Sequence, residues 1–306
     1  MISQTLALPA APDLPVDHPH FVRAAGHARR LLPAEIHDAL VDFSDASSSS
    51  GVLLVRRLPI GNLPATPATP TTVTDKSNDT EFLLLALARC LGQPVGYRPE
   101  LNGSIVQNIV PVKSTQDRQI STSSKVVLQY HTETAFHPHR PRYLLLLCLR
   151  GDAEARTTYV SIYDVVKQLA SDTVALLRQP RFRTAVDESF LNGASPRLLG
   201  PMPIISGSAD SLTFVYDADL MVGVDSEAQM ALEELTRVVR ENEQHVVLDT
   251  GDLLVIDNNV AVHGRSPFTP RFDGTDRWLQ RTFVVCDLAP SAAERNGRII
   301  TTLFAS

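Results

Sequence analysis

The sequence is poor in cysteine. Three thiols, Cys90, Cys148 and Cys286, stand in 306 residues, an odd number at wide spacing that excludes a disulfide framework. Each lies in an apolar run, where a thiol is expected to pack as a small hydrophobe. Concentrated positive charge is missing too: 28 Lys and Arg against 34 Asp and Glu leave a formal charge of −6. No phosphate-tracking surface is expected, and nucleic acid is an improbable partner. Apolar runs such as Leu144 to Leu149 are far too short to span a bilayer. The first Lys or Arg is Arg23, so the start lacks the charged and apolar segments of a signal peptide. The expectation is a soluble cytoplasmic protein with no membrane partner. There is no internal repeat, no phosphate-binding glycine loop and no Gly-x-Ser-x-Gly nucleophile turn.

What is present is ordinary globular material, 43% apolar and 20% charged, enough for a sizeable core. A single elaborated domain over residues 1–306 is expected, with 1–20 as a proline-bearing extension and about 217–243 as a lid and helical insertion. Stretches rich in Ser, Pro and Thr at Ser44 to Gly51 and Pro59 to Thr74 read as connectors. Helices are predicted over Glu35 to Phe43, over Phe82 to Leu91 with Asp79 as its cap and Gly92 as its stop, and over Ser226 to Arg240 with Ser226 and Gln229 as a capping box. Strands are predicted at Gly51 to Leu58, Ser104 to Val110, Lys125 to Tyr130, Tyr143 to Leu149, Thr157 to Ile162, Leu212 to Tyr216, His245 to Leu248, Leu253 to Ile256 and Arg281 to Cys286. Many short strands without regular strand-helix alternation argue against a doubly wound parallel sheet. They favour a mainly β fold, a sandwich or jelly roll with flanking helices.

Three clusters carry chemistry. In Tyr130-His131-Thr132-Glu133, strand alternation puts His131 and Glu133 on one face. Alone, an imidazole and a carboxylate at this spacing are more often a surface pair than two metal ligands. The second cluster, an apolar strand followed by Asp257-Asn258-Asn259 and then His263-Gly264-Arg265, supplies another imidazole. Two histidines and one carboxylate suit Fe(II) with open positions, although zinc accepts the same atoms. In the third, Arg277-Trp278-Leu279-Gln280-Arg281, the even offset aligns two guanidiniums on one strand face. Two inward arginines suggest two carboxylates to be gripped. Trp278 then points the other way and reads as packing. His137 and His139 read as structural or supporting, because the triad is complete without them.

These clusters, in this order, resemble the clavaminate synthase-like branch of the Fe(II)/2-oxoglutarate-dependent oxygenases, such as the free amino-acid hydroxylases of antibiotic pathways that act on arginine or asparagine. The resemblance runs from about Gly51 to about Cys286 and is most specific in His131-Thr132-Glu133-x-Ala135-Phe136-His137 and in His263-Gly264-Arg265-Ser266-Pro267-Phe268. It implies a double-stranded β-helix, or jelly-roll core, and a dioxygenase using Fe(II) and the cosubstrate 2-oxoglutarate. His131, Glu133 and His263 would be the iron ligands. Arg277 would bind the far carboxylate of 2-oxoglutarate, with Thr157, or Thr158 if the register slips, as the hydroxyl beside it. Arg281 would hold the substrate α-carboxylate, and Gln107 and Glu133 would meet the α-amine. The partners implied are an amino acid and dioxygen, and the products a hydroxylated amino acid, succinate and carbon dioxide, with the β carbon as the expected position.

The acidic Asp217-Ala218-Asp219 lies between the metal-ligand segments, where the resembling arginine hydroxylase carries residues that grip a guanidinium, though such a pair is as often a turn. Two carboxylates beside one pocket favour a basic side chain, arginine or a close analogue. A neutral amide substrate such as asparagine, a desaturase or cyclase outcome, or a non-catalytic metal-binding jelly roll are the alternatives.

Overall fold

The computed structural model describes residues 8–45, 49–191, 193, 195 and 197–304. Residues 1–7 of the expected extension and 46–48 of the first connector lie outside them. The strand Tyr143–Arg150 shows how the layers arise. It is apolar on both faces because both are covered: Leu145, Leu147 and Leu149 turn toward three helices, while Leu144, Leu146 and Cys148 turn into the interior between two sheets. The partner strands Leu253–Asp257 and Trp278–Val285 divide in the same way, Trp278 facing the helices and Leu279 and Phe283 the inter-sheet space.

The larger sheet has eight strands. Val52–Val55, Leu253–Asp257, Tyr143–Arg150 and Trp278–Val285 pair antiparallel in that order. Beyond them, Val106–Ile109 pairs with the first half of Trp278–Val285 and Gln93–Tyr97 with its second half, and Ile299–Ile300 and Arg295–Asn296 complete that edge. The smaller sheet runs Gln244–Val247, Arg156–Ser161, Ala261–Arg265 and Leu128–His131. The chain passes repeatedly from one sheet to the other, from 143–150 to 156–161 and from 253–257 to 261–265 and back to 278–285. Helices Pro19–Ala28, Ala34–Asp45 and Asp79–Leu91 cover the outer face of the larger sheet. The helix Ser226–Glu241 and the turns around Ile162–Leu177 cover that of the smaller sheet. No helix among the described residues is long and apolar enough to cross a membrane.

Several boundaries differ from expectation for local reasons. The first helix, Pro19–Ala28, begins inside the segment read as an extension. Asp79 is the first residue of its helix rather than its cap, and its carboxylate accepts from the Ala11 amide at 3.0 Å. Gly92 follows the end of that helix as its C-cap, and a side chain does not fit there, since an added Cβ would lie 2.5 Å from the Val285 carbonyl oxygen. The cap of Ser226–Glu241 is Asp225, which accepts from the Ala228 amide at 2.9 Å, while Gln229 turns back to the Gly223 amide at 3.0 Å, so the expected capping box does not form. That helix presents Ala228, Ala231, Leu232, Leu235, Val238 and Val239 to the core, as its periodicity predicts. Cys148 is buried, but Cys286 is exposed, because its strand ends one residue earlier at Val285.

Candidate functional site

At one end of the inter-sheet space a cleft of about 400 Å³ opens. The smaller sheet lines it with Thr157, His263 and Arg265, the alternates of Val160 and Val262, which face the outer helices. The larger sheet contributes Leu144, Leu146, Leu279 and Arg281, with Arg277 just before its strand. Thr157 faces the cleft; Thr158, of opposite parity, does not line it.

His131, Glu133 and His263 each bring one donor atom within 4.8 Å of the others. His131 and His263 are cross-strand partners, with ring centroids 4.4 Å apart. Gly264 permits this pairing, since a Cβ there would sit 2.5 Å from the Leu128 carbonyl oxygen. Glu133 lies beyond the strand, which ends at His131, so ladder alternation alone does not aim it. Buried Asn258 does: its Oδ1 accepts from the Glu133 amide at 2.7 Å, and its Nδ2 donates to the Glu133 carbonyl at 3.1 Å. Thr132 ties the same turn to the neighbouring chain, its amide donating to the Tyr216 carbonyl at 2.7 Å and its hydroxyl accepting from the Tyr216 amide at 3.0 Å. Thr134 then turns the chain through φ 48°, a conformation that costs a β-branched residue on the order of 1–3 kcal/mol and that these flanking bonds hold.

The electrostatics prepare three metal donors. The His131 Nδ1 donates to the Gln129 carbonyl at 2.9 Å, which leaves Nε2 as the ring atom available to a metal. Burial, then the neighbouring His131, holds His263 down at about 4, a neutral imidazole. Burial works against the Glu133 carboxylate, yet the Arg281 guanidinium, with His263 and His131 beside it, outweighs burial and keeps it ionised well below its usual range. Two imidazoles and one carboxylate with open space in front fit the donor set of non-haem Fe(II).

The two arginines differ. Arg277, 6% exposed, has one side-chain contact, its Nη2 donating to the Thr157 hydroxyl at 3.3 Å, and no ion pair among the described residues. Arg281 is crowded, with Nη2 2.9 Å from Glu100 Oε2, Nη1 3.4 Å from Glu133 Oε2, and Nε 3.0 Å from Gln107 Oε1. Gln107 is its cross-strand partner, which fixes that contact. Glu100 titrates opposite to Glu133: burial, reinforced by Glu133 and Asp187, outweighs Arg281 and pushes its carboxyl up.

Asp217 and Asp219 both line the cleft, and Asp217 forms an isolated bridge with His131. The Asp217 Oδ1 accepts from the Asp219 and Leu220 amides at 2.9 Å, so the pair is also the turn that composition suggested. Of the expected lid over 217–243, these two residues and Leu220 reach the cleft; the helix Ser226–Glu241 packs behind the smaller sheet. Asp187, which also lines the cleft, is pushed up to about 6 by burial and then by Asp217. Neither Asp187 nor Asp217 has an ion pair among the described residues. His137 does not line the cleft; its ring packs against Tyr97, Phe190 and Phe304, and burial holds it down at about 3. Trp278 lies on the helix side, its Nε1 donating to Asn108 Oδ1 at 2.9 Å. Sequence reasoning missed Asn258, Glu100 and Asp187. Asn258 had a signal, a polar turn between an apolar strand and a ligand histidine; the two acids lie in loops without one.

With this geometry in place, comparison defines the class. Residues 33–283 match the model of the taurine catabolism dioxygenase TauD, TfdA family. The chain belongs to that family and is an Fe(II)/2-oxoglutarate-dependent dioxygenase, as the motifs led one to expect. Within it, the chain is 37% identical over 291 residues to the L-lysine 3-hydroxylase of Catenulispora acidiphila, covering 93% of this chain and 81% of the relative. The solved structure of asparagine oxygenase with Fe(II), 2S,3S-3-hydroxyasparagine and succinate superposes with a TM-score of 0.88 at 35% identity, covering 98% of this chain and 93% of that one. The non-heme iron oxygenase OrfP with Fe, succinate and (3S)-hydroxy-L-Arg gives 0.84 at 31% identity, covering 93% and 91%. The chain has the same mainly β fold with helices and is related to amino-acid hydroxylases.

Proposed function

We propose that the protein hydroxylates a free L-amino acid with a basic side chain, arginine or a close analogue, at its β carbon. In this reading residues 1–306 form one oxygenase domain and the two sheets a double-stranded β-helix. His131, Glu133 and His263 hold Fe(II). When bound, the metal and 2-oxoglutarate supply oxidation of an unactivated C–H bond, with succinate and carbon dioxide released. The chain's own residues bind and orient. Arg277, buried and without an acidic partner, takes the far carboxylate of 2-oxoglutarate, and the Thr157 hydroxyl steadies its guanidinium. Arg281 receives the substrate α-carboxylate, while Gln107 and the second oxygen of Glu133 meet the α-amine. Holding one C–H bond in place and excluding water are the protein's contributions to rate.

The observation that supports a basic side chain is the pair Asp187 and Asp217, two carboxylates beside one cleft, both raised by burial and neither paired with a cation. Inserted between them, an ammonium or guanidinium relieves both, and Asp219 at the rim adds a third acceptor. The test is competition among arginine, lysine, citrulline and asparagine in wild type and in Asp187→Asn and Asp217→Asn, read as substrate-stimulated succinate release. A cationic preference that falls by at least tenfold in either variant is expected. Preference for a neutral side chain, unmoved by both changes, would overturn the reading.

A further inference from the structure

We propose that a second cleft, between the first helix, the end of the Asp79–Leu91 helix and the C-terminal hairpin, binds a small phosphorylated anion of the diphosphate class. This cleft, of about 580 Å³, shares no lining residue with the catalytic one. Arg23, Arg29, Arg30, Arg89 and Arg298 line it, in a protein whose net charge is −6. None of the five has an ion pair among the described residues. Asp17, the one carboxylate on its wall, is turned onto the Ile105 amide, from which it accepts at 2.9 Å.

Three of the guanidiniums are anchored but not neutralised. Arg29 Nη1 donates to the Arg89 carbonyl at 2.7 Å, Arg89 Nη1 to the Gly92 carbonyl at 3.0 Å, and Arg298 Nη1 and Nη2 to the Pro94 carbonyl at 3.0 Å and Gln93 Oε1 at 3.1 Å. Each keeps further N–H groups for a ligand. Their charges also disfavour one another. Burial, then Arg29, lowers Arg89; burial, then Arg89 and Arg295, lowers Arg298 to about 10. Cations at helix C-termini offset the helix dipole, which accounts for Arg29 and Arg89. It does not account for Arg298, which sits on no helix, or for Arg23, which stands within one.

Like charges from separate elements, held together with no acid in ion-pair contact among the described residues, are resolved by an anion that bridges them. Guanidinium forks match phosphate oxygens bidentately. Two adjacent phosphates supply enough oxygens and charge for arginines on different walls, which a single carboxylate does not. Val22, Ile105, Leu288 and Ile299 give the cleft an apolar floor for an attached organic group.

The test is calorimetric titration of the full chain with inorganic pyrophosphate, ADP and citrate, in metal-free buffer so that the diphosphate does not take up iron. Saturable one-to-one binding of pyrophosphate and ADP is expected, with ADP tighter if the apolar floor is used. Arg23→Gln with Arg30→Gln should weaken it at least tenfold. Neither side chain has a hydrogen-bond partner among the described residues, so an unchanged melting temperature is expected and folding does not confound the result. Arg298→Gln should weaken it further; if that variant fails to fold, the double variant still decides. Affinity unchanged in the double variant, citrate binding as tightly as pyrophosphate, or loss of binding in Arg277→Gln in place of the cleft variants would each overturn the proposal.

Discussion

Arg277, just before the strand Trp278–Val285, and Arg281, within it, line the same cleft, yet their surroundings are opposite. Around Arg277 the wall offers a threonine hydroxyl and, among the described residues, no carboxylate within ion-pair reach; around Arg281 it offers Glu100, Glu133 and Gln107. A buried cation without a partner is costly in the empty protein and is relieved by a ligand that brings the missing charge. A cation already paired with a metal-binding carboxylate does something else. It keeps Glu133 ionised and aims it, and it is available to a ligand only through rearrangement of that pairing. The difference supports the proposed division, in which the first arginine takes the carboxylate-bearing cosubstrate and the second couples substrate to Glu133.

The largest break in this comparison removes the centre that both arginines serve. Partners of ligand residues are typically worth 10–100-fold in metal affinity or activity, so loss of a ligand itself, in His263→Ala or His131→Ala, should lower coupled succinate release by more than about 100-fold. Chelation of wild type should match it, with activity restored by Fe(II) in wild type only; activity within a few-fold of wild type would remove that histidine from the site.

Next, Arg277→Gln should raise the apparent KM for 2-oxoglutarate about 30-fold or more, because truncating one partner of a buried charge pair costs roughly 2–5 kcal/mol. The amino-acid KM should move little. Steady-state kinetics with each ligand varied in turn checks the split.

Arg281→Gln should show the converse at a smaller scale: an amino-acid KM raised about tenfold, a 2-oxoglutarate KM near wild type, and more succinate formed per hydroxylated product, consistent with the 1.5–3 kcal/mol worth of a charged hydrogen bond. Measuring succinate and product in the same reaction decides it. Equal effects on both ligands would erase the distinction between the two arginines.

The finest test is Glu100→Gln. Arg281 keeps Glu133 and Gln107, and the amide resembles the protonated form that burial favours for Glu100. Activity at neutral pH should stay within about threefold of wild type, whereas Glu100→Ala, which opens a gap beside Arg281, should exceed that. A drop in Glu100→Gln as deep as in Arg281→Gln would make Glu100 part of the binding machinery.

How much of this was readable beforehand varied by residue. His131, His263 and Arg281 stood out because they sit at strand positions whose parity is set by two-residue periodicity, and Glu133 and Arg277 because they lie just outside the ends of such strands, which are apolar enough to be recognised. The helix Ser226–Glu241 was equally legible from its apolar stripe. Its cap was not, since Asp225 and Ser226 are both good capping residues and only the backbone geometry chooses between them. The short strand Gln93–Tyr97 was missed: it contains a proline and a glycine, and pairing on both sides, with Phe283–Val285 and with Ile299–Ile300, overrides their weak strand preference.

By itself the sequence determined the mainly β class, the donor set and the pair of inward arginines, because these follow from residue type and from parity along a single strand. Only the tertiary structure decided what lies opposite them. That Glu133 is aimed by Asn258 across 125 positions of chain, that Glu100 divides Arg281 with Glu133, that Asp187 and Asp217 share one cleft, and that five arginines without an ion pair among the described residues share another are juxtapositions of segments remote in sequence. Charge and hydrogen bonding act through space over a few ångströms, and no periodicity along the chain encodes which loops the packing of two sheets will bring together.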